Sequence, residues 1–147
     1  MRIKVKYIES ADLLDLTILS FDEIPNKENI CCIDCSQNQL SSFQGIENLT
    51  QLQILSCSNN QFTSLQGIKN LTHLHKLYCQ NNKLTSFREI ENLIQLQGLD
   101  CSNNQLTSLQ GIENLTQLQG LHCRNNQLTS LPNWLCFFQI FYTWIVI

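Results

Sequence analysis

The sequence predicts an α/β repeat solenoid. Each coil lays one short strand into a parallel sheet on the concave side, and short 3₁₀ turns or loops close the convex side. Three observations carry this. A unit of 22 residues recurs five times, starting at Ile30, Leu52, Leu74, Leu96 and Leu118. Its front half spaces apolar residues like a strand. Its back half spaces them three apart. A fixed period of this length means stacked coils rather than one globule with a unique core.

Leu96 to Gln117, LQGLDCSNNQLTSLQGIENLTQ, is the clearest copy. Leu99 and Cys101 point one way and Asp100 points the other, as in a strand. Ser102-Asn103-Asn104 is turn chemistry and ends it. One such strand cannot bury its apolar face alone, but a neighbour at about 4.8 Å can cover it. On the return leg, Leu106, Leu109, Ile112 and Leu115 suit 3₁₀ or irregular turns better than an α-helix. The template is L-x-x-L-x-C-x-x-N-x-L-T-S-L-x-x-I-x-N-L-x-x.

This pattern resembles the leucine-rich repeat, with Cys in place of the usual third Leu. The 22-residue length and the L-x-x-I-x-N-L back half resemble the subclass of bacterial internalins and phosphatase-regulating repeat proteins. The resemblance covers Ile30 to about Leu131 and implies a horseshoe fold. Because this scaffold serves many partners, it says far less about function.

The 147 residues read as a single domain. Residues 1–29 form an N-terminal cap or degenerate repeat, 30–131 the five repeats, and 132–147 a C-terminal cap or apolar tail. Ile3, Val5 and Tyr7 alternate with Lys4 and Lys6, the pattern of an exposed edge strand. Ser20 to Ile24 falls in register with Ser86 to Ile90, as a degenerate first unit would.

The Asn column, Asn38, Asn60, Asn82, Asn104 and Asn126, reads as structural. An amide carries both donors and acceptors and can satisfy the backbone of the turn after each strand. Past Pro132, the segment Ile140 to Ile147 is strongly apolar. It reads as a truncated sixth strand capping the core. A membrane contact and an array that once continued are the alternatives. At 14 residues, Trp134 to Ile147 is too short to span a bilayer.

Eight cysteines are present. Cys35, Cys57, Cys79, Cys101 and Cys123 form a column at an apolar template position and read as small buried hydrophobes. Free thiols imply a reducing compartment. Cys31, Cys32 and Cys35 cluster near the first strand, but no second C-x-x-C follows at finger spacing. A metal or thiol-redox role is the minor reading, and no metal or cofactor is expected. The net charge of −3 gives no basic footprint for nucleic acid. The N-terminus has no uninterrupted apolar core, so the expectation is a cytoplasmic protein, with secretion lacking a signal peptide as the alternative.

The repeat positions that vary most are the third, fifth and seventh, expected on the solvent side of the sheet. Their centre is Tyr78 with His75, Lys76, Gln80 and Asp100, and with His122 and Arg124 on the C-terminal side. Aromatic and Arg anchors are enriched at interface hot spots. Gly98 and Gly120 predict a shallow depression beside Tyr78. Asp100 and His122 neighbour each other, but no nucleophile accompanies them and an open ladder shifts no pKa, so no catalytic residue is assigned. The expected function is protein binding on the concave face, as a bacterial effector or host-interaction protein. The alternative is an intracellular regulatory subunit that docks an enzyme such as a phosphatase.

Overall fold

The structure, a computed structural model, describes residues 1–8, 10, 12–18, 20–130 and 133, and the backbone of 144–146. Eight strands form one sheet: β1 (Arg2–Tyr7), β2 (Leu14–Thr17), β3 (Ile30–Asp34), β4 (Ile54–Ser56), β5 (Lys76–Tyr78), β6 (Gly98–Asp100), β7 (Gly120–His122) and β8 (Trp144–Val146). Their order is β2-β1-β3-β4-β5-β6-β7-β8. From β3 onward every pairing is parallel, and β3 to β7 pair at the 22-residue period: Leu55 lies opposite Leu77, Leu77 opposite Leu99, and Leu99 opposite Leu121.

Each repeat strand stops after three to five residues because the chain turns sharply behind it. Gln37, Asn59, Asn81, Asn103 and Asn125 take the left-handed conformation, φ 54–57°. Asn tolerates that region better than other residues with a side chain. The following Asn then ties the turn down. Asn82 donates from Nδ2 to the Cys79 carbonyl at 3.0 Å and to the Cys57 carbonyl one coil back, also at 3.0 Å. Its Oδ1 accepts the Phe62 N–H at 3.1 Å. Asn60, Asn104 and Asn126 repeat the same set.

The core runs as a stack between the sheet and the return legs. In the third coil Leu74, Leu77, Cys79, Leu84, Phe87, Ile90 and Leu93 are all fully buried. The threefold spacing of the return leg has its cause in i+3 hydrogen bonds: the Ile90 N–H to the Phe87 carbonyl, Leu93 to Ile90, and Leu96 to Leu93. Short 3₁₀ segments form at Phe21–Glu23, Lys27–Asn29, Ile46–Asn48 and Arg88–Ile90. Gly111 sits at φ +104°, where a Cβ would lie 2.5 Å from the Phe87 carbonyl oxygen. Only Gly fits that close approach between coils.

The N-terminal segment departs from expectation. β1 is not an exposed edge strand. It lies between β2 and β3 and pairs antiparallel with both. Ile3 and Val5 are buried, so the hairpin closes the end of the core. The edge is β2. A bulge between Lys6 and Tyr7 leaves Cys31 outside the register, with Tyr7 opposite Ile30 and Lys6 opposite Cys32. The return leg of this segment does stack on the coils: Phe21 lies on Phe43 at 6.5 Å, and Phe43 on Phe62 at 4.0 Å.

At the other end β8 continues the sheet beside β7. Residues 131, 132, 134–143 and 147, with Cys136 and most of the apolar tail, lie outside the described residues. Among the described residues no helix is long and apolar enough to cross a membrane.

Candidate functional site

The solvent side of the sheet is built by strand alternation. Residues four and six of each unit point into the core, so residues three and five point out. Two rows result. One runs Lys6, Cys32, Ile54, Lys76, Gly98 and Gly120. The other runs Asp15, Lys4, Asp34, Ser56, Tyr78, Asp100 and His122. Tyr78 stands in the middle of the second row, between Ser56 and Asp100. Lys76 is exposed beside it on the same strand.

His122 Nδ1 lies 4.0 Å from Asp100 Oδ2, and its side chain is 46% exposed. Asp100 Oδ1 accepts the Ser102 N–H at 3.0 Å, and Asp34 treats Ser36 in the same way. Both aspartates are therefore oriented by the turn that follows them. His75 stands at the entry to β5, and its carbonyl accepts the N–H groups of Gln97 and Gly98. Arg124 is exposed at the lip of the face, two residues past His122 and just before the left-handed Asn125. Gln80, in the same seventh position, has a buried Oε1 with no hydrogen-bond partner among the described residues.

The seventh position does not behave as expected throughout. Ser58 and Ser102 are buried, at 4% and 3% exposure, rather than solvent-facing. A serine is short enough to fold back over the ladder, and the Ser58 hydroxyl reaches the Tyr78 carbonyl at 3.5 Å. Of the longer side chains in this position, Arg124 is exposed and Gln80 is half-buried.

The N-terminal hairpin adds what the repeat pattern could not show. Arg2, Lys4 and Lys6 alternate with buried Ile3 and Val5, so they share the solvent side with Asp34 and Tyr78. A groove lined in part by Lys4, Asp15, Thr17, Asp34, Ser36 and Asn38 runs where the hairpin meets β3. The alternation of Ile3 and Val5 with the lysines was visible in the sequence. The antiparallel pairing that brings them onto this face was not.

The cysteine trio does not converge. Cys35 is buried in the core stack, Cys32 faces the solvent side, and the Cys31 thiol donates to the Lys6 carbonyl at 3.4 Å. Among the described residues no group of three His, Cys, Asp or Glu side chains could hold a metal ion. Burial, with the charges of Cys31 and Asp34, pushes the Cys32 thiol up, which suppresses the thiolate that redox chemistry needs. In the column, burial pushes Cys35 up to about 12, and Cys57, Cys79 and Cys101 well above the ordinary value. The seven described cysteines are free thiols.

The family model for leucine-rich repeats in two copies matches residues 28–70, 50–93 and 94–136. The chain belongs to the leucine-rich-repeat family. No curated protein sequence matches it. Among solved structures, this leucine-rich-repeat chain is similar to the internalin InlF of Listeria monocytogenes, at 28% identity and TM-score 0.69, over 81% of this chain and 33% of that one. A leucine-rich-repeat protein of Leptospira interrogans is 38% identical at TM-score 0.68, over 71% of this chain and 28% of that one. The functional domain of Listeria monocytogenes InlJ, which includes a cysteine ladder, is 34% identical at TM-score 0.65, over 71% and 23%. The chain thus spans about a quarter to a third of the length of these structures.

Proposed function

We propose that this leucine-rich-repeat chain is a recognition module that binds a protein partner on the solvent face of its sheet, with no chemistry of its own. One observation carries the reading. Inward positions repeat almost unchanged from coil to coil, as in Leu55, Leu77, Leu99 and Leu121, or in the Cys and Asn columns. The outward fifth position runs Asp34, Ser56, Tyr78, Asp100 and His122. Uniform packing needs the first pattern and nothing in the core needs the second. A rigid sheet also loses little ordering entropy on binding, which leaves more of the contact energy as affinity.

Likeness to Listeria internalins supports a bacterial effector or host-interaction role. The free thiols favour a second setting, a reducing compartment such as the cytoplasm, where the chain would dock an enzyme such as a phosphatase. His75, Lys76, Tyr78, Gln80, Asp100, His122 and Arg124 are the proposed contact residues. The test compares partner capture by the intact chain and by a Tyr78→Ala/Arg124→Ala variant with an unchanged circular dichroism spectrum. A partner lost from the variant supports the reading. A partner held equally well moves the site off the sheet face.

A further inference from the structure

We infer that the sheet face takes an acidic polypeptide segment that carries one bulky apolar side chain; this rests on the protein-binding reading above and specifies the partner's chemistry. The first support is the distribution of charge. Arg2, Lys4, Lys6 and Lys76 stand on the face and Arg124 at its lip, against Asp15, Asp34 and Asp100. With His neutral the face therefore carries +2. The whole chain carries −3. On the return legs of the repeats, Glu47, Glu89, Glu91 and Glu113 stand against Lys69, Lys83 and Arg88, a net −1, so the sheet face is the more positive side. Such an asymmetry orients an incoming anion towards the sheet and away from the convex side, within a screening length of about 8 Å at physiological salt.

Local bonding sharpens the contrast. Asp34 and Asp100 each spend one carboxylate oxygen on the N–H of the turn behind them, and Asp100 also neighbours His122. Among the described residues the ammoniums of Lys4, Lys6 and Lys76 have no carboxylate partner, and each offers three donors of the kind a carboxylate accepts.

The second support is shape. Gly98 and Gly120 are adjacent across β6 and β7 in the third-position row. A Cβ built on Gly120 would meet nothing within 4 Å, and one on Gly98 would meet only Lys76 Cγ at 3.8 Å. Among the described residues no packing requires glycine at either place. Among the described side chains, the result is a bare floor bounded by the Lys76 stem on one side and by Tyr78, Asp100 and His122 along the next row. Two strand spacings of about 4.8 Å give room for one aromatic or branched side chain against the Tyr78 ring. An acidic residue beside that side chain meets Lys76.

The experiment is a nitrogen-15 amide NMR titration of the full chain with three probes. They are a short peptide alternating glutamate with leucine, its lysine–leucine counterpart, and a single-stranded oligonucleotide of similar charge. The acidic peptide is expected to shift the amides of Lys76, Gly98 and Gly120. Its affinity should fall with added salt, and should drop about tenfold in Lys4→Glu/Lys76→Glu. Gly120→Leu, which adds bulk without charge to an open position, should weaken it too. Equal or tighter binding of the basic peptide, preference for the oligonucleotide, or no shifts with the acidic peptide would overturn the inference. Binding of the basic peptide on the sheet would leave the protein-binding reading standing. Shifts confined to the return legs, at Thr85 and Glu91, would remove both.

Discussion

Asn82 bonds to the carbonyl of Cys57, one full coil away, at the same 3.0 Å at which it bonds to Cys79 in its own coil. The column is therefore a between-coil fastener as well as a turn cap. The Cys35, Cys57, Cys79 and Cys101 carbonyls each accept from two Asn side chains, whereas the Phe62 N–H depends on Asn82 Oδ1.

Asn82→Leu should accordingly leave the buried Phe62 N–H unpaired. The expected loss is about 1–3 kcal/mol, read as a lower urea midpoint. The same change at Asn38, where the amide bonds to Arg2 at the exposed N-terminal edge, should cost less because water can replace it.

Much of this was legible before any coordinates. Period, strand placement, the Asn column and the buried Cys column all follow from residues that recur in register, because each coil makes the same contacts as its neighbours. The N-terminal hairpin was not legible in the same way. Val5 opposite Ile33 is a pairing between unlike segments, and no repeat announces it. As a result Lys4, Lys6 and Asp15 were absent from the expected face. Ser58 and Ser102 are buried for a simpler reason: position in the unit gives direction, and side-chain length decides burial.

The thiol column predicts a pH response. The buried thiols stay protonated in the folded state, and Cys35 is held up to about 12 against an ordinary value of 9.0. Above pH 9 the unfolded chain releases protons that the folded chain retains, so unfolding becomes easier as pH rises. Stability should be constant with respect to these groups below about pH 8 and fall progressively between pH 9 and 12. Urea midpoints measured across that range check it, with a Cys79→Ala variant showing a shallower fall.

Thiol labelling offers a separate check. At neutral pH in native buffer, Cys31 and Cys32, both half-buried, should react with a maleimide before any of the column cysteines. Mass spectrometry of peptides after a short pulse reads the order. Early labelling of Cys79 would mean that the middle of the stack opens readily.

Two glycines should respond in opposite ways to alanine. Gly111→Ala combines a positive φ with a 2.5 Å approach to the Phe87 carbonyl, so it should cost at least about 1–3 kcal/mol. Gly120→Ala meets none of the described residues and should stay within about 0.5 kcal/mol of the parent. Parallel denaturation curves distinguish them.

The most direct test of the central claim is site-specific photo-crosslinking in cell lysate. A benzophenone side chain is placed at Tyr78 on the sheet face, or at Glu91 on the return leg of the same coil. A discrete crosslinked protein is expected from the Tyr78 position and none from Glu91. The same adduct from Glu91, with nothing from Tyr78, would contradict it.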